Sequence, residues 1–115
     1  MADCLFCKIV KGEIPAEKVY EDEHTIVIND IDPKAPIHLL AIPKDHYAAI
    51  HEIPSGQMET MDRVMNAVST VVRERKFPEK GGYRLVVNAG ENAGQAVPHI
   101  HVHILSGRLM QWPPG

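Results

Sequence analysis

In His99-Ile100-His101-Val102-His103-Ile104-Leu105, imidazole and aliphatic side chains alternate from His99 to Ile104. Successive side chains of an extended strand point to opposite faces. The segment therefore predicts a strand over His99–Leu105 with three imidazoles on one face and Ile100, Val102 and Ile104 on the other. Same-face neighbours lie ~6.5–7 Å apart, which lets several imidazoles meet one phosphate-sized group. A lone strand histidine is usually structural or solvated; three at period two against an apolar face point to chemistry. Just upstream, Asn88 to Pro98 is longer than an ordinary hairpin connection. Its Gly90 and Gly94 let backbone approach a ligand closely, and exposed N–H groups there suit phosphate oxygens.

The surrounding chain predicts a scaffold for that segment. Lys18–Glu21 and Thr25–Asn29 lean to strand around the polar turn Asp22-Glu23-His24, the pattern of a hairpin. Asp32-Pro33-Lys34-Ala35-Pro36 reads as a turn, and His38–Ile42 as a strand stopped by Pro43. Tyr83–Asn88 is a further strand. Leu5 and Ile9, four apart, suggest a short helix over Leu5–Lys11 ended by Gly12. The long helix is expected over Gly56–Arg75 with Ser55 as N-cap, and Met58, Met61, Val64, Met65, Val68, Val71 and Val72 form its core stripe. Arg73-Glu74-Arg75-Lys76 places mostly positive charge at its negative end. The fold class is α+β, a mainly antiparallel sheet of about five strands with one long helix and one or two short ones. Residues 1–115 read as a single domain.

Composition narrows the function. The 115 residues are 44% hydrophobic and 23% charged with net charge −3, an ordinary globular mix without a basic nucleic-acid footprint. No apolar run approaches the ~20 residues of a membrane span. No signal peptide is visible, and two closely spaced cysteines make no disulfide framework, so a cytoplasmic protein is expected.

The residues from Gly94 through His103, with the ending Gln111-Trp112-Pro113-Pro114-Gly115, resemble the histidine triad (HIT) family and its Hint branch, the purine nucleoside phosphoramidases. Gly12-Glu13-Ile14-Pro15, Asp30 to His38, Ile42-Pro43-Lys44 and Val87-Asn88 extend the likeness over nearly the whole chain. The resemblance implies a HIT-like fold and attack by His101 on the α-phosphorus of a purine nucleotide substrate, through a nucleotidyl-histidine. His103 would contact the phosphate and His38 would orient the triad. Asp30 would accept the ribose hydroxyls, with Phe6, Ile9, Ile28 and Ile31 around the purine. Asn88, Gly94, Gln95, Ala96 and Val97 would border the phosphate. The resemblance also implies a homodimer in which Trp112 reaches the partner's site, with no organic cofactor. Plain core packing remains open for Phe6 and Ile9, and a turn-stabilising carboxylate for Asp30.

Cys4-Leu5-Phe6-Cys7 admits a redox pair or half a metal site, but nothing like a thioredoxin strand precedes it. Some HIT proteins complete such a pair with two distant histidines around a structural zinc, and the resemblance implies Cys4, Cys7, His46 and His99. His24 and His51 match no family position and read as surface residues. Two positions depart from the family: Ala96 stands where relatives often carry Ser, and Pro98 where an aromatic is common. Ala96 keeps a second class open, a nucleotide-binding partner protein with weak hydrolysis. A third, dinucleoside polyphosphate hydrolase, is disfavoured by the Trp112-Pro113-Pro114-Gly115 ending.

Overall fold

The structure, a computed structural model, describes residues 4–115. Elements follow the order α1 (Leu5–Val10), β1 (Lys18–Glu21), β2 (Thr25–Asn29), β3 (Ile37–Pro43), α2 (Glu59–Glu74), β4 (Tyr83–Val86) and β5 (Val102–Ser106). The five strands form one antiparallel sheet in the order β1-β2-β3-β5-β4. The α+β expectation holds. The β1–β2 turn closes as predicted, because the Asp22 carboxylate accepts from the backbone N–H groups of His24 and Thr25, each at 2.8 Å.

Period-two alternation divides the sheet between two cores. Val27, Leu39, Ala41, Val102 and Ile104 meet Val64, Ala67, Val68, Val71 and Val72 of α2 on one face. Ile26, Ile28, Leu40 and Ile42 meet Phe6 and Ile9 of α1 on the other. The central strands β2 and β3 are thus apolar on both sides, as a three-layer arrangement requires.

Both helices depart from the expected reading. The long helix begins at Glu59, not Gly56, and Ser55 is not its cap. Gly56 stands at φ +79° inside a turn closed by Gln57 N–H on the Pro54 carbonyl, a conformation outside the helical region. Met58 and Met65 are exposed, so the core stripe narrows to Val64, Ala67, Val68, Val71 and Val72, with Met61 packed at its rim. In α1 the buried pair is Phe6 and Ile9, while Leu5 is exposed on the core's outer side and Lys11 caps the C-terminus.

The triad segment departs from a uniform strand, since β5 starts only at Val102. The N–H of His99 bonds the Val97 carbonyl and that of Ile100 bonds the Tyr47 carbonyl, both at 2.8 Å, so neither joins the sheet. For the same reason β4 ends at Val86, opposite His103, and Val87 and Asn88 leave the ladder. The sidedness survives: Val102 and Ile104 enter the α2 core while the imidazoles gather on the α1 face.

Directly after β5, Gly107 takes φ +98°, and a Cβ there would stand 2.9 Å from Pro36 Cβ in the turn before β3. Gly56 has a similar backbone but open space around it. Gly107→Ala and Gly56→Ala should share the left-handed cost of about 1–2 kcal/mol. Gly107→Ala should lose more, because Pro36 must also move. Urea midpoints of the two variants check this, and equal losses would show that the Pro36 contact carries no energy.

Candidate active site

The α1 face of the sheet opens into a cleft of about 570 Å³. Strand pairing sets its floor. His103 lies opposite Leu40 of β3 and Val86 of β4, while His38 lies opposite Leu105, which makes His38 and His103 diagonal neighbours. Their rings approach to a Nε2–Nδ1 distance of 2.9 Å although 65 residues separate them in the chain. His101 stands next to His103 with ring centroids 4.9 Å apart. Phe6 meets His101 edge-on at 5.0 Å.

Hydrogen bonding decides which nitrogen of each ring carries the proton. A carbonyl only accepts, so a ring nitrogen bonded to one must be N–H. His101 Nδ1 donates to the His99 carbonyl at 2.7 Å, so neutral His101 carries its lone pair on Nε2. The Lys34 backbone N–H donates to His38 Nδ1 at 3.0 Å, so neutral His38 carries its proton on Nε2. That proton points at His103 Nδ1, with Asp30 Oδ2 at 3.3 Å as its second acceptor. His103 then holds its own proton on Nε2. The cleft thereby pairs an imidazole lone pair with an imidazole donor on adjacent rings. Burial pushes His38 below the ordinary histidine value. Burial first, then neighbouring His101 and His38, push His103 down to about 4, so it is neutral at pH 7.

Of the residues expected at a nucleotide site, Phe6, Ile9, Ile28, Asp30, Ile31, Asn88, Ala96 and Val97 line the cleft with His38, His101 and His103. Ile31 does so with its side chain fully exposed at the rim. Asp30 keeps both expected possibilities: Oδ1 accepts the Asp32 N–H and closes the turn, while Oδ2 faces His38. Gly94, Gln95 and Trp112 are not among the lining residues. Gln95 instead pins the loop, accepting from Gly90 N–H and donating to the carbonyls of Ala48 and Val97. The sequence reading missed Ile14, Pro15, Ala16 and Leu40 as walls and Lys34 as the backbone donor to His38. Ile14 and Pro15 lie in the Gly12–Pro15 stretch that resembles the family, and Lys34 lies in the Asp30–His38 stretch that does so. His51 is exposed as expected, whereas His24 is half-buried beside Asp22.

Behind the cleft, Cys4, Cys7, His46 and His99 converge, with their ligand atoms within 4.8 Å of one another. His99 Nδ1 lies 3.2 Å from Cys4 Sγ, 3.6 Å from Cys7 Sγ and 2.9 Å from His46 Nδ1; Cys7 Sγ lies 3.3 Å from His46 Nδ1. Tetrahedral zinc bonds of about 2.0–2.3 Å place ligand atoms roughly 3.3–3.8 Å apart. His99 Nε2 donates to the Pro43 carbonyl at 2.8 Å, so its lone pair sits on Nδ1, facing the thiols. The donor set suits a closed tetrahedral ion; two of these spacings lie in that range and two fall below it, so the groups would move slightly apart around an ion. The Pro43 contact is the partner that a ligating histidine commonly has.

Known proteins share this fold. A family model described as the HIT domain matches residues 11–110. A HIT family hydrolase from Legionella pneumophila superposes with TM-score 0.92 at 44% identity, over 98% of this chain and 100% of that one. A 14 kDa zinc-binding protein of Zea mays is 41% identical over 113 residues, 96% of this chain and 87% of its own length. A histidine triad nucleotide-binding protein from Candida albicans superposes with TM-score 0.82 at 35% identity, over 96% of this chain and 83% of that one.

The lowered His103 value has a thermodynamic consequence. Between about 4 and the ordinary 6.5 the unfolded chain binds a proton at His103 that the folded chain refuses. Its contribution to stability is complete above pH 6.5 and is lost as pH falls toward 4, at no more than about 1.4 kcal/mol per pH unit. His103→Asn should flatten the acid limb of a stability–pH curve in that window. An NMR titration of the parent should find His103 neutral at about pH 5.5; a midpoint near 6.5 would refute the assignment.

Proposed function

The chain belongs to the HIT domain family, and from that premise we propose that it is a Hint-branch nucleotidyl hydrolase that cleaves purine nucleoside 5′-phosphoramidates. The observation behind this reading is the His101 Nδ1–H bond to the His99 carbonyl, which reserves Nε2 as a nucleophile beside the His103 donor. His101 Nε2 attacks the α-phosphorus. The phosphorus–nitrogen bond to the leaving amine breaks, and the amine departs with that electron pair and gains a proton. Water then attacks the nucleotidyl-histidine and loses a proton; the phosphorus–Nε2 bond breaks, AMP leaves and neutral His101 returns. His103 Nε2–H stabilises charge on a non-bridging oxygen, and His38 holds that proton in place through the Lys34 N–H contact.

Asp30 receives the ribose hydroxyls. Phe6, Ile9, Ile28 and Ile31 wall the purine, and the Asn88 to Val97 loop borders the phosphate. Cys4, Cys7, His46 and His99 hold a structural zinc, which supplies a cross-link between α1 and the triad segment; no organic cofactor takes part. The maize relative, by name a zinc-binding protein, supports the zinc, and the Candida relative, by name a nucleotide-binding one, supports the nucleotide. Residues 1–115 act as one domain whose partner is the nucleotide rather than a nucleic acid or a membrane. Reduced Cys4 and Cys7 suit the cytoplasm. No helix of the described residues is long and apolar enough to cross a membrane.

A second reading, a nucleotide-binding partner protein with weak hydrolysis, rests on Ala96. A Ser hydroxyl there would assist the leaving amine by roughly 1.5–3 kcal/mol. One series of variants tests both readings with adenosine 5′-phosphoramidate. His101→Ala should abolish a trapped nucleotidyl-enzyme while AMP still binds. Ala96→Ser should raise kcat/KM by about one to two powers of ten. An adduct that persists in His101→Ala removes the nucleophile. A parent chain that binds AMP without turnover, and that Ala96→Ser activates, supports the second reading.

The active species is proposed to be a homodimer. Strand β4 is a sheet edge that begins at exposed Tyr83 and is followed by exposed Val87, and Arg84 ties the Gln111 carbonyl to it. Leu109 and Trp112, 84% and 81% exposed, lie on that tied segment, an apolar surface that suits a second copy whose cleft Trp112 would reach. Sedimentation at micromolar concentration should give a two-chain species; a 12.8 kDa species would exclude it.

A further inference from the structure

We infer that ion occupancy of the Cys4–Cys7–His46–His99 cluster positions the nucleophile, by fixing the backbone carbonyl that holds His101 in its reactive tautomer. This rests on the proposed roles of His101 and of the cluster as an ion site. His99 belongs to both centres. Its ring nitrogen Nδ1 faces the thiols, and its main-chain oxygen receives His101 Nδ1–H at 2.7 Å. The ring is fully buried and held on its far side by Pro43, so little slack remains between side chain and carbonyl.

The cluster needs the ion to keep that shape. His99 Nδ1 is a lone pair, because its proton is on Nε2. Without a cation this lone pair can take a proton from only one of the three groups crowding it. The convergence of Cys4, Cys7 and His46 on one point then loses its cause. With a cation all four donors are satisfied together.

A second link runs through α1. Cys4 is its N-cap, and Cys4 Sγ accepts the Cys7 N–H at 3.4 Å. Six residues are too few for a helix to persist by local bonding, so α1 depends on its anchors. Between the two cysteines stands Phe6, edge-on to His99 at 5.8 Å and to His101 at 5.0 Å. Loss of the ion would loosen the carbonyl behind His101 and the aromatic ring beside it at once. The cysteines and His46 are therefore positioning residues: none of them lines the cleft.

The test follows His101 by imidazole ¹⁵N–¹H NMR together with steady-state kinetics, in the protein as purified, after chelation under reducing conditions, and after refilling with zinc. The zinc-loaded protein should show a single His101 tautomer protonated on Nδ1 and exchanging slowly. In the stripped protein that proton should exchange faster and the second tautomer appear, with kcat lower by at least about tenfold, and refilling should restore both. Cys7→Ser should behave as the stripped protein does. A stripped chain that keeps its circular dichroism, its single His101 tautomer and its kcat overturns the inference. Should stripping unfold the chain, exchange to the larger cadmium ion must shift the His101 Nδ1–H resonance and lower kcat, and an unmoved resonance overturns it. Protein that holds no ion and takes up none removes the premise itself. The resonance needs no substrate, so failure of this coupling is distinguishable from failure of the hydrolase reading.

Discussion

A neutral imidazole has one N–H and one lone pair, and each histidine around the cleft has one of these committed to the protein. The His99 carbonyl takes the His101 proton, the Lys34 N–H takes the His38 lone pair, and the Pro43 carbonyl takes the His99 proton. What remains is determined by subtraction. His101 keeps a lone pair for the cleft, His103 keeps a proton for it, and His99 keeps a lone pair for the thiols. Three identical side chains thus acquire three chemistries from the contacts around them.

Those contacts exist only because the sheet buries both of its faces. Desolvation disfavours the imidazolium, and it is the main cause of the lowered values of His38, His99 and His103. A cluster of imidazoles on an open surface would protonate in mild acid and repel. Here the α2 core closes one side of β3 and β5, and α1 closes part of the other. The triad segment gives up regular strand pairing at His99 and Ile100 and recovers its hydrogen bonds from Val97 and Tyr47. This irregular start turns the His99 ring toward the thiols while His101 and His103 stay in the cleft.

The turn before β3 ties several of these demands together. Asp30 closes it through the Asp32 N–H, Lys34 supplies the donor to His38, and Arg108 holds the Lys34 carbonyl at 3.0 Å. Gly107 lets the chain after β5 come against Pro36 of the same turn. The backbone that sets the His38 tautomer is thereby braced by residues at the far end of β5. Lys34 acts in this network through its main chain, which is why its side-chain chemistry did not announce it.

The sequence alone determined whatever depends on neighbours along the chain. Period-two alternation over His99–Ile104 put the imidazoles on one side and the aliphatics on the other, even though regular strand begins only at Val102. The Asp22 turn, both strands of the hairpin and the α+β class were legible in the same local way. His38, His46 and the roles around the cleft came from resemblance, because no periodicity links residues so far apart. Tertiary structure decided which face each element presents and to what. The start of α2 moved to Glu59 and its stripe lost Met58 and Met65, since burial there depends on how far the sheet extends beneath the helix. The β3–β5 pairing, between strands not consecutive in sequence, brought His38 within 2.9 Å of His103. It also let one triad histidine serve the thiols and two the cleft. Local sequence sets the alternation of a strand; strand order and burial set what each side of it touches, and here that assigns a proton or a lone pair to His38 and to each ring of the triad.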